Sequence, residues 1–215
     1  MTPIHIILFI FLLILMIAFV QIGVFTLALD KLGISSHSAF TILFASLIGS
    51  GINLPLRRIA SAAKPGTDTW PRMPYTPRYF IPGTTLIAVN VGGALVPILV
   101  SMYLLHLQPG ILFSALACIV IVSMISFYFS RPIHGIGIGM PILIAPLTAA
   151  LTALLIDPQH SAPLAYIGGT LGVLIGADIF RLKDIRHMSP PIASIGGAGT
   201  FDGIFITGIV AVLLA

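Results

Sequence analysis

Hydrophobic residues form long runs along this chain, and the short stretches between the runs carry nearly all of the charges. Several runs reach or approach the ~20 apolar residues that a helix needs to cross ~30 Å of hydrocarbon. The pattern predicts seven membrane-spanning helices, at about 4–29, 39–56, 84–107, 111–129, 138–156, 164–180 and from about 190 to the C-terminus. We therefore predict an all-α, polytopic membrane protein with a single transmembrane domain over residues 1–215.

Composition agrees with this interpretation and excludes several other classes of protein and of site. Hydrophobic residues make up 58% of the chain and charged residues 7%, which excludes an ordinary soluble domain. The single cysteine, Cys118, lies inside an apolar run, so disulfides and cysteine-based metal sites are excluded. We expect no metal and no other cofactor. Membrane lipid is the expected partner and nucleic acid is not, while the oligomeric state is left open.

The basic residues predict the orientation. With a cytoplasmic N-terminus, nine of the ten Lys and Arg residues fall in cytoplasmic loops, and only Lys31 lies outside. The nine are Arg57, Arg58, Lys64, Arg72, Arg78, Arg131, Arg181, Lys183 and Arg186. The longest loop, residues 57–81, is rich in proline and aromatic residues and is expected to lie along the cytoplasmic interface. These features predict a multi-pass protein of a prokaryotic inner membrane.

Two acidic residues lie within the C-terminal hairpin of apolar runs, residues 164–215. Asp178 is in the sixth predicted span and Asp202 is in the seventh, whereas the other four aspartates fall in loops. A carboxylate at the centre of a membrane helix costs roughly 2.5–3.5 kcal/mol on insertion scales. Two such residues on consecutive antiparallel segments therefore predict a functional pair, with the carboxyls within about 8 Å of each other.

Other polar residues fall in the same membrane leaflet under this topology. They are Asn53 at the end of the second span, Asn90 in the third and His134 before the fifth. Glycine-rich stretches at 134–141 and 194–203 predict irregular backbone, which membranes tolerate where it is buried in protein or lines water. We predict that Asn53, Asn90, His134, Gly197, Gly199 and Gly203 bind a substrate or an ion beside the two aspartates.

Each of these residues also has a purely structural interpretation. Asp178 is three residues before Arg181 and can pair with it at a helix end. Asp202 can accept hydrogen bonds from glycine-rich backbone, Asn90 can join two helices, and His134 can be an interfacial loop residue. The glycines at 168, 172 and 176 recur every four residues, which predicts a helix-packing face.

The two aspartates admit two kinds of chemistry. Two carboxylates a few ångströms apart share one proton over a wide pH range, because both cannot ionise cheaply. The ionised member can deprotonate water while the protonated member donates to a carbonyl, as in aspartic proteases. The same pair can instead bind protons or a cation during transport. The leading hypothesis is a hydrolase acting on membrane-embedded helices, and the alternative is a proton- or cation-coupled transporter or channel.

Three motifs carry a resemblance to known families: GADIF around Asp178, SIGGAGTFDGIFITG around Asp202 and NVGGALVP around Asn90. Together they resemble a widespread uncharacterised prokaryotic membrane family, a domain of unknown function, over nearly the whole chain. The layout of the two aspartates also resembles the GxGD-type intramembrane aspartyl proteases: presenilin, signal peptide peptidase and prepilin peptidase. That resemblance implies that Asp178 and Asp202 are catalytic and that transmembrane helices are substrates. The GxGD sequence itself is absent, because Thr200 and Phe201 separate Gly199 from Asp202.

Overall fold

The computed structural model describes residues 21–60, 84–133, 137–188, 190, 192–197 and 203–215. The helices in these ranges are α1 (Gln21–Lys31), α2 (Ser36–Ser50), α3 (Val96–Leu107), α4 (Leu112–Phe129), α5 (Ile144–Ile156), α6 (Ser161–Val173), α7 (Leu182–Met188) and α8 (Gly203–Leu214). The strands are β1 (Asn53–Ala60), β2 (Thr84–Asn90), β3 (Arg131–Ile133), β4 (Gly137–Gly139) and β5 (Ile192–Ile195). The described part of the chain is therefore mostly helical, with a small amount of sheet.

Two described helical stretches are long and apolar enough to cross a membrane, Pro109–Phe129 and Pro158–Ile185. A third crossing follows if α1 and α2, which meet at 119°, form one broken span. Large apolar side chains cover the outside of the helices: Phe113 is 83% exposed and Leu155 is 85% exposed. Soluble monomers rarely expose continuous apolar surfaces of this kind, so a lipid environment fits these helices. The count of seven spans stays a prediction.

The prediction of an all-α fold is confirmed only in part, because the described residues are mostly helical but also form five short strands. β1 occupies the end of the second predicted span, and β2 occupies the beginning of the third. β1 pairs antiparallel with β2, and β2 pairs parallel with β5, giving a three-stranded sheet in the order β1-β2-β5. β3 and β4 form a separate antiparallel pair. The fifth predicted span begins as strand, and its helix starts only at Ile144.

Local chemistry explains why these apolar stretches are strands. β2 reads TTLIAVN, in which four of seven residues are β-branched and so favour extended backbone. β1 contains Pro55, which cannot donate to a ladder, and it is accordingly an edge strand with a register shift between Pro55 and Arg57. Short apolar runs of this length cannot be separated from buried helix by periodicity alone. The hydrophobic pattern therefore predicted the wrong type of element for both segments, of which β2 is largely buried and β1 is largely exposed.

The predicted irregular backbone is confirmed for the described residues of both glycine-rich stretches. Gly137 has a φ of +124°, and Gly196 and Gly197 have φ values of +83° and +87°. An L side chain rarely adopts such angles, so glycine is required at these turns. Residues 134–136 and 198–202 lie outside the described residues.

α6 is the central helix of the bundle and is packed against α3, α4, α5 and α8. The glycines at positions 168 and 172 of α6, and Gly176 in the turn that continues it, lie against α4, which confirms the predicted packing face. An ideal Cβ on Gly168 would lie 2.8 Å from Cβ of Cys118, and one on Gly172 would lie 2.6 Å from Cβ of Val122. An ideal Cβ on Gly176 would lie 2.2 Å from the carbonyl oxygen of Ser123. The two helices therefore approach closely because α6 has no side chains there.

α8 packs antiparallel against α6. A Cβ added to Gly169 would face Thr207 and Ala211 of α8. A Cβ added to Gly208 would face Thr170 and Tyr166 of α6. At the far end the hydroxyl of Ser161 donates to the carbonyl of Ala215 at 3.1 Å. The C-terminus of α8 and the N-terminus of α6 thus lie at one end of the bundle.

The turn between α5 and α6 lies at this same end. Asp157 accepts hydrogen bonds from the backbone N–H groups of Gln159 and His160, and it contacts Nδ1 of His160 at 2.9 Å. The hydrogen bond from the His160 side chain holds the pKa of Asp157 below its usual value. This turn is therefore well capped, and the less regular backbone lies at the opposite end of α6.

Candidate functional site

Asp178 lies where the central helix departs from α-helical geometry. α6 continues at its C-terminal end into a π-helical turn, Leu174–Ile179, and the N–H of Phe180 donates to the carbonyl of Ile175 at 2.9 Å. Short π-helical turns are rare and occur frequently at functional sites. The turn holds the half-buried Asp178 just beyond the glycine contacts with α4.

The carboxylate of Asp178 binds the backbone of the other C-terminal segment. Its Oδ2 accepts a hydrogen bond from the N–H of Gly196 at 2.7 Å. Gly196 and Gly197 form the positive-φ turn that follows β5, and the chain continues from this turn toward Asp202. A carboxylate that accepts from a backbone N–H makes a charge-assisted bond, stronger than one between neutral groups. Asp178 therefore fixes the first half of the motif that contains Asp202.

A second π-helical turn, Val91–Leu95, holds the other side of Gly196. Asn90 caps this turn, and its Oδ1 accepts from the N–H of Gly93 at 2.7 Å. An ideal Cβ on Gly93 would lie 2.0 Å from the carbonyl oxygen of Gly196. Gly196 is therefore held between two π-helical turns, one carrying Asp178 and the other capped by Asn90.

At the end of the sheet where Asn90 lies, side chains from all three strands form a hydrogen-bonded cluster. Nδ2 of Asn90 donates to the carbonyl of Ser50 at 2.7 Å and to Oδ1 of Asn53 at 3.2 Å. That oxygen of Asn53 also accepts from the hydroxyl of Ser194 at 2.5 Å. Asn90 is only 1% exposed and uses both of its N–H groups and its carbonyl oxygen. Its observed contacts match the interpretation of Asn90 as a residue that joins neighbouring segments.

Arg181 anchors the end of the π-helical turn to α4. Its guanidinium donates to the carbonyls of Phe127 and Ser130, both at 2.7 Å, and to the hydroxyl of Ser130 at 3.1 Å. It also pairs with Asp184 at 3.0 Å. These four bonds use most of the five N–H donors of an arginine. Arg181 thus bonds to Asp184 and to the C-terminal end of α4, whereas Asp178 bonds to Gly196.

Aromatic side chains gather at the same end of α4. Arg181 lies over the ring of Phe127 at 4.2 Å, and Phe127 packs edge-to-face against Phe180 at 6.0 Å. Tyr128 and Phe129 follow directly, and Tyr128 is 76% exposed. Aromatic rings and arginines concentrate at membrane–water interfaces. A group of this composition, within about one helical turn of Asp178, is therefore typical of the end of a membrane-spanning helix.

The structure brings together several of the residues that the sequence singled out. Asn53, Asn90, Gly197 and Asp178 meet around the Gly196 turn. Gly203 is the first residue of α8. Asp202, His134 and Gly199 lie outside the described residues, so their positions and the predicted pairing of the aspartates stay predictions.

Sequence reasoning missed four residues of this cluster: Ser50, Gly93, Ser194 and Gly196. Ser194 contributes its hydroxyl, whereas the other three contribute backbone atoms or the absence of a side chain, which leaves no polar signal in an apolar run. The paired glycines in NVGG and SIGG were the available signal, because one glycine of each pair takes part in the close approach of Gly93 to Gly196. In the part of the chain that the structure describes, no group of three or more His, Cys, Asp or Glu residues is arranged to hold a metal ion.

Comparison with curated proteins found no match, and comparison with solved structures found none either. Comparison with protein families found one whose match covers residues 47–214, which is most of the chain. The matched range includes β1, β2 and β5 and both π-helical turns, so it contains every described residue of the cluster around Gly196. The chain belongs to the family described as "Protein of unknown function (DUF1614)".

Proposed function

We propose that the protein is an intramembrane hydrolase of the aspartyl-protease type, with Asp178 and Asp202 as its catalytic pair. The observation that carries this proposal is the 2.7 Å bond from the N–H of Gly196 to Asp178. It ties the segment that carries one aspartate to the turn that leads, six residues later, to the other. A reaction site needs such preorganisation of its groups.

The packing of α6 against α8 supports the pairing. Ser161 contacts Ala215, and Gly169 faces Thr207, so each step forward along α6 corresponds to an equal step backward along α8. Continued along the bundle, this register sets Gly203 level with residue 173. That level is about five residues before Asp178, or roughly 7–8 Å along the axis at 1.5 Å per residue. Asp202 directly precedes Gly203. The expected position of Asp202 is thus about one helical turn from Asp178.

The chemistry of such a pair needs no further group. One carboxylate takes a proton from a water molecule, and the oxygen of that water bonds to the carbonyl carbon of the scissile amide. The other carboxyl gives its proton to the carbonyl oxygen, forming a neutral gem-diol. Transfer of a proton to the amide nitrogen then lets the C–N bond break, which releases a carboxylic acid and an amine. The substrate is a membrane-embedded helix, unwound locally beside the aspartates.

The surrounding residues have distinct expected roles. Asn53 is exposed and presents its amide at the end of β1, where an extended substrate segment can reach it. Gly197, Gly199 and Gly203, with His134, are expected to bind the backbone of that segment. Asn90 is buried, and both its N–H groups and its carbonyl oxygen are hydrogen-bonded to neighbouring segments, so we assign it to positioning the Gly196 turn. This assignment gives Asn90 a structural role instead of that of an ion ligand, which favours hydrolysis over transport.

The first prediction concerns Asp178. Asp178→Asn keeps an oxygen that can accept from Gly196 but cannot ionise, so peptide cleavage is expected to fall by about 10²–10⁴-fold, the range typical of general acid–base catalysis. The thermal unfolding temperature is expected to remain close to that of the wild type. Asp178→Ala loses the hydrogen bond as well and is expected to lower both. Purified protein in vesicles would be assayed against single-span peptides.

Asp202→Asn is expected to abolish cleavage in the same way, and so is a transition-state mimic of aspartyl proteases. Asp30→Asn is a matched control, since Asp30 lies at the other end of the bundle near the C-terminus of α8. Undiminished cleavage in either variant of the pair would refute the proposed roles. Absence of cleavage, together with ion flux that Asp202→Asn abolishes, would instead establish the transporter alternative.

The second prediction concerns topology. We infer a multi-pass protein of a prokaryotic inner membrane with seven spans, a cytoplasmic N-terminus and an external C-terminus, because nine of ten Lys and Arg residues then lie inside. A phosphatase fused after Ala215 is expected to be active, and a fluorescent protein fused there dark. A fusion after Ala60, in the long basic loop, is expected to behave in the opposite way. A fluorescent C-terminal fusion would contradict the inferred count of spans.

A further inference from the structure

Two serine hydroxyls of α4 are buried without a hydrogen-bond partner in the described part of the chain. They belong to Ser123 and Ser126 of α4, which are 4% and 0% exposed. A buried hydroxyl that lacks a hydrogen bond destabilises the folded state. Serines in membrane helices commonly avoid this cost by donating to the carbonyl four residues earlier, but these two do not. Such groups mark positions where water or an ion binds.

The helix face that carries Ser126 is directed at α6. Ser126 follows Val122 by four residues and Cys118 by eight, so the three lie on one face of α4. Cys118 and Val122 meet Gly168 and Gly172 of α6. The contacts advance in the same direction on both helices, so α4 and α6 run parallel.

The same contacts give the level of Ser126 along α6. Ser123 lies against Gly176, and Ser130 accepts from Arg181. Ser126 lies between these two contacts and is therefore level with the second half of the π-helical turn Leu174–Ile179, where Asp178 is.

We propose that the hydroxyls of Ser123 and Ser126 bind water between α4 and the π-helical turn. This water connects Asp178 to the membrane interface at Ser130 and Arg181. A hydroxyl both donates and accepts, and a buried water needs about three hydrogen bonds, which two hydroxyls and the neighbouring backbone can supply. The use of this water, to exchange protons with Asp178 and to supply the attacking molecule, rests on the proposed function; the binding site itself does not.

The single cysteine of the chain permits a direct test. Ser123→Cys and Ser126→Cys would each be made in a Cys118→Ala background and treated in vesicles with methyl methanethiosulfonate, a small reagent that modifies thiolates. A thiol in a hydrated position forms its thiolate far more readily than one in apolar surroundings. Both engineered cysteines are expected to react at least about tenfold faster than Cys118 in the wild type, and faster as the pH rises. Cys118 is the dry control, because it is fully buried on the same face two turns away.

Reaction of both engineered cysteines as slowly as Cys118 would overturn the proposal. Unfolding temperatures identify a variant that fails to fold, and the other variant then provides the result. Rapid reaction in a protein that cleaves no peptide would keep the water site and reject the hydrolase. Cleavage by a protein whose Ser123→Cys and Ser126→Cys variants stay unreactive would keep the hydrolase and reject the water site.

Discussion

Replacing Gly176 with alanine is expected to lower the free energy of unfolding by about 1–3 kcal/mol, the usual cost of overpacking a tight interior. The new Cβ would lie 2.2 Å from the carbonyl oxygen of Ser123 and 2.9 Å from its carbonyl carbon. These are backbone atoms of α4, so no side-chain rotation relieves the overlap and the two helices must separate. The measurement is reversible unfolding in mixed micelles, followed by circular dichroism.

Gly110→Ala is the matched control for this variant. It makes the same chemical change in the turn that precedes α4, where an added Cβ meets nothing within 4 Å. Its unfolding free energy is expected to stay within about 0.5 kcal/mol of the wild type, as for ordinary surface substitutions. Equal stability of Gly176→Ala and Gly110→Ala would show that α4 and α6 are not packed as described.

Replacing Gly93 with alanine is expected to break the connection between the two π-helical turns. The added Cβ would lie 2.0 Å from the carbonyl oxygen of Gly196, so the Gly196 turn must move away. That movement breaks the bond from the N–H of Gly196 to Asp178, a charge-assisted bond of about 1.5–3 kcal/mol. We expect both a loss of stability of this size and, if the hydrolase proposal is right, loss of peptide cleavage.

A double-mutant cycle separates this effect from simple crowding. In an Asp178→Ala background the bond is already lost, so Gly93→Ala is expected to cost less than in the wild type. Gly51→Ala is the control near the same site, because its Cβ would make only an ordinary contact of 3.6 Å with the carbonyl of Ile48. Strictly additive effects of Asp178→Ala and Gly93→Ala would mean that the two turns do not cooperate through Gly196.

Local features of the sequence were sufficient for the membrane class and for part of the packing. Long apolar runs with few charges predict helices in lipid, because hydrocarbon leaves no other partner for the backbone of a spanning segment. The four-residue spacing of Gly168, Gly172 and Gly176 predicted a packing face, since it repeats on one side of a helix. Irregular backbone was expected at the glycine-rich stretches, and positive φ angles occur there at Gly137, Gly196 and Gly197. Each of these predictions depends on residues close together in the chain.

The tertiary structure decided which distant segments pair. Asn53, Asn90 and Ser194 come from strands far apart in sequence, and strand pairing leaves no local periodicity that differs from a short buried helix. The carboxylate of Asp178 was predicted to matter, but its contact with Gly196 is to a backbone N–H, which every non-proline residue has, so no residue type marks it. By itself, the sequence determined the membrane character, the glycine packing face and the two aspartates as candidates. Only the fold decided that a small sheet and two π-helical turns bring Asn90 and Asp178 to one glycine turn. The reason is that this arrangement depends on contacts between segments about 20 to 140 residues apart in the chain.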